Sequence, residues 1–321
     1  MSDDTTPMRP VQVLLTGASG FIGQALFLRL GADGHLVTAL SRDLLTTVGE
    51  SCAHQVRSNE KKPSLFVDID CVVHLAARVH VMHETTADPL AEFRRVNVKG
   101  TLNLARQAAA AGVRRFVFIS TVKVNGESTQ TGVPFTADDT PAPLDAYGVS
   151  KMEAEHGLRE VAAQSGMEVV IIRPPLVYGP GVKANFAAMM RWLQRGVPLP
   201  LGAIHNQRSL VAIDNLVDLI VLCLKHPAAA NQTFLVSDGK DVSTTELLFR
   251  MGQAMGCPAR LLPVPSSVLK LAGALLGKSD MVQRLCGSLQ VDIAKTQDLL
   301  GWTPPVSLDE GLRRTALGSQ R

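Results

Sequence analysis

Tyr147 and Lys151 stand four residues apart at the head of a helical pattern. Positions i and i+4 share one helix face, so the Lys151 ammonium can lie near the Tyr147 phenol. A free phenol with a pKa near ~10 exchanges protons poorly at neutral pH, and an adjacent cation is expected to lower it toward the working range. Ser120-Thr121 closes an apolar run of strand length, which puts a second hydroxyl at a strand end where it could hold a substrate oxygen while Tyr147 moves the proton. Taken alone, a Tyr-x-x-x-Lys pair reads as an exposed helix pair. A second motif changes that reading: Thr16-Gly17-Ala18-Ser19-Gly20-Phe21-Ile22-Gly23 follows the first apolar run and opens a helix. Glycines at this spacing allow a tight turn, close backbone approach to a diphosphate and close helix–strand packing, with the phosphates at the positive helix end.

The elements that must position these groups alternate. Strand-length apolar runs at Val11–Leu15, Leu36–Leu40, Cys71–Leu75, Phe116–Ser120 and Val169–Arg173 are separated by helical patterns at Gly20–Leu30, Leu90–Ala111 and Tyr147–Gln164. That alternation predicts an α/β fold with a Rossmann-type, doubly wound parallel sheet. After Arg173 the texture breaks at Pro174, Pro175, Gly179, Pro180 and Gly181, and a helix is expected near Asn185–Gln194. The expected organisation is a disordered leader at 1–10, a dinucleotide domain at 11–173 plus about 209–237, and a smaller mixed α/β substrate lobe at 174–208 plus 238–321.

Composition removes several classes. The chain has 321 residues, 46% hydrophobic and 19% charged, which excludes collagen-like and disordered readings. A net charge of +3 is too mild to imply a nucleic-acid partner. Five cysteines, at 52, 71, 223, 257 and 286, form no Cys-x-x-Cys pair and no metal-ligand spacing. They read as reduced thiols of a cytoplasmic protein without a metal. Met1–Pro10 carries Asp3 and Asp4 in place of the basic and apolar regions of a secretory signal. The apolar stretch Val268–Leu276 contains Lys270 and falls short of the ~20 residues that span a bilayer, so it is expected to be a core-packed helix rather than a membrane-surface one.

The second strand pattern ends in Ser41-Arg42-Asp43, where an acidic residue would bind the ribose hydroxyls of NAD. Arginine and a hydroxyl there suit the 2′-phosphate of NADP, which is therefore the preferred cofactor, with NAD as the alternative if Asp43 takes the ribose and Arg42 is a solvated charge.

Together these motifs resemble an extended short-chain dehydrogenase/reductase of the NAD-dependent epimerase/dehydratase family, whose members mostly act on nucleotide-sugars. The likeness covers about residues 11–237 firmly. It is carried by the glycine motif, His74-Leu75-Ala76-Ala77, Asn97-Val-Lys-Gly-Thr101, Ser120-Thr121, Tyr147-x-x-x-Lys151 and Arg173-Pro174-Pro-Leu-Val177-Tyr-Gly-Pro180. The resemblance implies that Thr121 and Tyr147 contact the reacting sugar oxygen and that Lys151 also holds the nicotinamide ribose. It places Gly17, Gly20, Phe21, Ile22, Gly23, Leu75, Ala76, Ala77, Asn97, Pro174 and Val177 along the cofactor, and Lys123, Asn185, Arg208 and Arg284 with the substrate.

Two departures from the family pattern bear on chemistry. The Gly-Asp-Leu that faces adenine in relatives is missing around His54–Leu65, so no adenine contact is assigned. Val122 stands where 4,6-dehydratases carry an acid, which argues against dehydration. Leu75-Ala-Ala-Arg-Val-His-Val-Met-His83 and Gly287-Ser-Leu-Gln-Val-Asp292 most resemble bacterial surface-polysaccharide enzymes. Those enzymes reduce the C4 keto group of UDP-4-keto-6-deoxy-N-acetylhexosamines. The implied activity is that reduction, with a UDP-hexose or UDP-N-acetylhexosamine 4-epimerase as the alternative and a non-catalytic NADP sensor as a third reading, disfavoured by the Tyr147–Lys151 pair. The implied partners are a UDP-sugar and a second copy of the chain as a homodimer.

Overall fold

The computed structural model describes residues 9–40, 65–79, 88–130 and 132–318. In chain order its elements are β1 (Gln12–Thr16), α1 (Phe21–Ala32), β2 (Leu36–Leu40), β3 (Cys71–His74), α2 (Pro89–Phe93), a π-helical turn (Arg94–Gly100), α3 (Thr101–Ala110) and β4 (Arg115–Ile119). A 3₁₀ turn (Val122–Val124), α4 (Ala146–Ser165), β5 (Glu168–Arg173), β6 (Leu176–Tyr178), α5 (Ala184–Gln194), β7 (Leu210–Ala212) and α6 (Ile213–Cys223) follow. The chain then forms β8 (Thr233–Leu235), α7 (Thr244–Ala254), α8 (Ser266–Leu275), α9 (Ser279–Cys286), α10 (Ala294–Leu300) and α11 (Leu308–Gly318).

Six strands form one parallel sheet in the order β2-β1-β3-β4-β5-β8, the doubly wound arrangement expected from the alternation. The strand order reverses between β1 and β3, and in such sheets ligands bind outside the carboxyl ends of the strands at that reversal. Thr16 is level with Leu40 on one side and His74 on the other, so β1, β2 and β3 end together. All four residues of β3 and all five of β4 are buried, as required of strands covered on both faces.

Backbone contacts divide the chain into two compact units. One comprises the described residues up to Ile119 with Glu153–Ile171 and Ile220–Gln232; the other comprises Ser120–Met152, Ile172–Leu219 and the residues from Thr233 onward. The core of the first unit joins Leu14, Val72, Phe116 and Phe118 to Ala105, Ala108, Leu158 and Val161. Within it the Arg115 guanidinium is buried against Glu168 and the carbonyls of Cys223 and His226, so its charge is paired and its donors are used.

The second unit is built around Tyr178, Phe186, Met190, Leu247, Leu248 and Leu312, with β6 and β7 forming a separate two-stranded sheet. Its polar centre is Asp238, which accepts from the Ala212 backbone N–H, Asn215 Nδ2 and Tyr178 Oη, each at 2.7 Å. Burial raises the Asp238 pKa above the ordinary carboxylate value against the opposing pull of those three donors.

Two expectations are corrected. The single helix expected over Leu90–Ala111 is three pieces: Asp88 caps α2 by accepting from Ala91 N (3.0 Å), and a π turn then precedes α3. The widened turn carries Asn97, which is 1% exposed. Val268–Leu276 is helical but meets the core only along the side that carries Leu269 and Gly273. Along α8 only Gly273 is buried, while Val268, Leu271 and Leu275 are 51%, 65% and 80% exposed. The contact is narrow: Leu269 packs on the core of the second unit, and a Cβ at Gly273 would meet Val282 of α9 at 2.6 Å. No described helix is long and apolar enough to cross a membrane.

Candidate active site

In the first unit, β1 turns into α1 at Gly17, whose φ is +72°. A Cβ there would come within 2.8 Å of Ala76 N, so the glycine is required both by its left-handed conformation and by the loop after β3. A Cβ at Gly23 would overlap the Gly17 carbonyl oxygen, which fixes α1 tightly against the turn. Gly20 is the N-cap of α1 and provides no side-chain cap, leaving the first-turn N–H groups available to an anion. This edge, with glycine cradle, bare helix end and level strand termini, fits the diphosphate of a dinucleotide.

The loop from Leu75 to Val79 is braced from below. Thr16 Oγ1 lies 2.7 Å from His74 Nδ1 and accepts from Ala76 N at 3.2 Å, while His74 Nε2 is 2.9 Å from Thr101 Oγ1. Asn97 Oδ1 accepts from Arg78 N (2.8 Å) and Asn97 Nδ2 donates to Arg78 O (3.0 Å), so Asn97 clamps the loop carrying Ala76 and Ala77.

The second unit holds Thr121, Tyr147 and Lys151, the groups expected from the sequence to move a proton. Thr121 follows β4 in extended conformation, and its Oγ1 accepts from Lys123 N (3.3 Å) to cap the 3₁₀ turn. Its O–H remains a donor. Ser120 N donates to Ile172 O (2.7 Å) and Val122 N to Pro174 O (3.0 Å), fixing Thr121 beside the Pro174 segment. Tyr147 and Lys151 lie in the first two turns of α4, and Lys151 is 1% exposed.

Asp145 organises this corner. Its Oδ1 accepts from Gly148 N at 2.6 Å, an N-cap contact, and its Oδ2 accepts from Lys123 Nζ at 2.5 Å. Lys123 also donates to Glu127 at 2.8 Å. Burial disfavours the Lys123 charge, but its hydrogen bonds to the Asp145 and Glu127 carboxylates, with their negative charge, outweigh that and hold the ammonium above its ordinary pKa. For Tyr147, burial and then the Asp145 carboxylate push the phenol up to about 12. The lowering expected from Lys151 is thus reversed in direction, because desolvation and a neighbouring anion both favour the neutral phenol.

The remaining substrate candidates are spread over the second unit. The Arg208 guanidinium donates to the carbonyls of Arg284 (2.9 Å) and Gly287 (3.1 Å), and burial lowers its pKa while Glu127 opposes that shift. The structure therefore brings Arg208 to the backbone at Arg284. Asn185 is in the first turn of α5. Val177 lies in β6, paired with Val211. Ser41, Arg42, His80 and His83 fall outside the described residues.

A family model described as the NAD dependent epimerase/dehydratase family matches residues 13–237. The chain belongs to this family. A Vibrio cholerae protein named UDP-glucose 4-epimerase is 51% identical over 316 residues, covering 96% of this chain and 95% of the relative. Among solved structures, the UDP-N-acetylglucosamine 4-epimerase from Bacillus cereus aligns with a TM-score of 0.76 at 20% identity, covering 97% of this chain and 100% of that one. MoeE5 in complex with UDP-glucuronic acid and NAD aligns with a TM-score of 0.74 at 26% identity, covering 97% and 99%. This family member is an NAD(P)-dependent enzyme, an epimerase or reductase of the nucleotide-sugar class.

The sequence motifs of this epimerase/dehydratase family member include Thr16, His74 and Thr101 but not the hydrogen bonds that join them, and they leave out Asp145 and Glu127. Asp145 carried a usable signal, an acidic residue directly before a helical run with the capped N–H three residues on. The other contacts carried none, since they are made across 58, 27 and 4 residues of sequence, through the tertiary fold or a local ion pair. Among the described residues no cluster of His, Cys, Asp or Glu could hold a metal, and the four described cysteines are free.

Proposed function

We propose that this enzyme acts at C4 of a UDP-linked hexose or N-acetylhexosamine and inverts it, as a 4-epimerase. The observation that carries the choice of inversion is the 51% identity, over nearly the whole of both chains, to a protein named UDP-glucose 4-epimerase. The chemistry supplied by a bound nicotinamide dinucleotide is reversible hydride exchange with C4. The protein's part is proton transfer and orientation. Tyr147 removes the proton of the C4 hydroxyl as that carbon is oxidised to a ketone and returns it to the C4 oxygen when the ketone is reduced. The Thr121 O–H donates to the same oxygen, and the buried Lys151 ammonium favours the phenolate when Tyr147 has given its proton up. With its pKa at about 12, Tyr147 is protonated at neutral pH in the free protein, so it must release that proton to solvent before it can take the one on the C4 hydroxyl, a loss that the Lys151 ammonium favours. Val122 supplies no second acid–base group, so C4 exchange is not followed by loss of water. The glycine turn at Gly17–Gly23 holds the dinucleotide, and Arg208 and Arg284 serve the nucleotide end of the substrate.

A specific observation supports a second reading, net reduction of a UDP-4-keto-6-deoxy-N-acetylhexosamine. In the sequence Ser41-Arg42 comes directly after the last residue of β2 and suits the NADP phosphate, and a reductase must exchange its dinucleotide every turnover. One experiment separates the two. Purified protein is given UDP-glucose and UDP-N-acetylglucosamine, with inversion followed by NMR, and separately the 4-keto-6-deoxy sugar with NADPH, followed by absorbance. Inversion without net cofactor consumption supports the epimerase; keto-sugar-dependent NADPH oxidation without inversion refutes it in favour of the reductase. The homodimer belongs to the same proposal and is read by light scattering.

A further inference from the structure

Helix α8 carries a stripe that the catalytic reading does not use. Val268, Leu271, Ala272 and Leu275 recur at spacings of three and four and therefore share one helix face, with Leu276 directly after them. Leu276 is 71% exposed and Met281, in α9, 47%, extending the exposed apolar run beyond the helix. The inward side is taken by Leu269, packed on the core of the second unit, and by Gly273 against Val282. Singly exposed leucines are ordinary, but a contiguous stripe marks an interaction surface.

Charge selects the partner. Between Arg250 and Asp292 the sequence carries Arg260, Lys270, Lys278 and Arg284 against Asp280 alone, an excess of +3 that equals the net charge of the whole chain. The surplus positive charge therefore lies in the same stretch of chain as the apolar stripe, with exposed Lys270 on the α8 face that also carries Gly273 and exposed Lys278 three residues past Leu275. Long lysine stems can keep their ammonium groups among headgroups while neighbouring leucines enter the acyl boundary. A protein partner contacting leucines has no general need of such a basic fringe; an anionic lipid surface does. At ten residues α8 is far too short to span a bilayer and would lie in its surface.

We propose that α8 and the start of α9 dock this enzyme reversibly on an anionic lipid bilayer. The test is co-sedimentation of the full chain with vesicles of pure phosphatidylcholine and of phosphatidylcholine containing about one third phosphatidylglycerol. Binding is expected to the anionic vesicles only, weakening with salt. The pair Leu271→Glu/Leu275→Glu should abolish it, and Lys270→Gln/Lys278→Gln should weaken it by about fivefold per charge. Both pairs change exposed side chains, and thermal melting checks that each variant is folded; if the Glu pair melts early, the Gln pair decides. No binding to anionic vesicles, or equal binding by folded variants, overturns the proposal. So does a dimer, seen by light scattering, that the Glu pair dissolves while vesicles never retain the chain, since the stripe then joins two copies.

Discussion

Replacing Asp145 by asparagine separates its charge from its shape. Asparagine keeps an oxygen for Gly148 N and is as good an N-cap as aspartate, so α4 should start at the same residue. What disappears is the anion beside Tyr147. The phenol stands at about 12 against an ordinary value of 10.0, with burial the larger cause and Asp145 the smaller. Removing the charge should therefore recover less than half of that rise, at most about tenfold in acid dissociation or ~1.4 kcal/mol. The direction follows from the charge: without a neighbouring anion the phenolate costs less, and the pKa falls. The assay is tyrosinate absorbance against pH, with circular dichroism confirming that the protein stays folded. The chain has two tyrosines, and burial together with Asp238 drives Tyr178 well beyond the alkaline range, so the first tyrosinate to appear is Tyr147. Tyr147→Phe should erase that step. A titration unmoved by Asp145→Asn, moved upward, or moved by much more than tenfold would refute the assignment of burial as the main cause and Asp145 as the secondary one.

Tyr147→Phe should also lower turnover by about 10²–10⁴-fold while leaving dinucleotide affinity unchanged in a binding titration, because only the proton-transfer group is lost. Gly17→Ala must place a Cβ against Ala76 N from a left-handed backbone, and should abolish dinucleotide-induced thermal stabilisation as well as lower the melting temperature of the free protein. Arg42→Ala should weaken NADPH by roughly tenfold to a hundredfold and NADH little; equal losses in a fluorescence titration would give Arg42 a loop role instead. Asp238→Ala leaves the Ala212, Asn215 and Tyr178 donors unsatisfied in the core and should cost about 3 kcal/mol or more in a denaturant titration, with most of the loss absent in Tyr178→Phe.

The parallel sheet was legible because its inner strands β1, β3, β4 and β5 are buried almost throughout, and such strands advertise themselves as short apolar runs whatever their neighbours. Gly17 and Gly23 were legible for a similar reason: a backbone that must pass within van der Waals distance of another backbone admits one residue type, and the spacing of that type survives in one dimension. The π turn at Arg94–Gly100 was not legible. It carries Asn97 to the Arg78 backbone, a contact made across 19 residues, and nothing in the local helical pattern records that contact. The exposure of α8 was missed because an apolar helix reads the same whether its partner is the core or lies outside the chain. Only the narrowness of its contact, made along Leu269 and Gly273, distinguishes them.

The proton-transfer site shows the same limit at the level of charge. The Tyr147–Lys151 spacing identified which groups share a helix face, and face-sharing was taken to decide the phenol's acidity. In the folded chain acidity is decided by everything that surrounds the ring, and the two influences that govern it, burial and Asp145, both act against ionisation. Asp145 is held in place by a helix N–H on one oxygen and the Lys123 ammonium on the other, and Lys123 is in turn tied to Glu127. The chain thus keeps Tyr147 protonated at neutral pH in the free protein, and the Lys151 ammonium, proposed to favour the phenolate, does not outweigh burial and Asp145. In the proposed C4 inversion this matters, because Tyr147 must release its proton before it can take the one on the C4 hydroxyl.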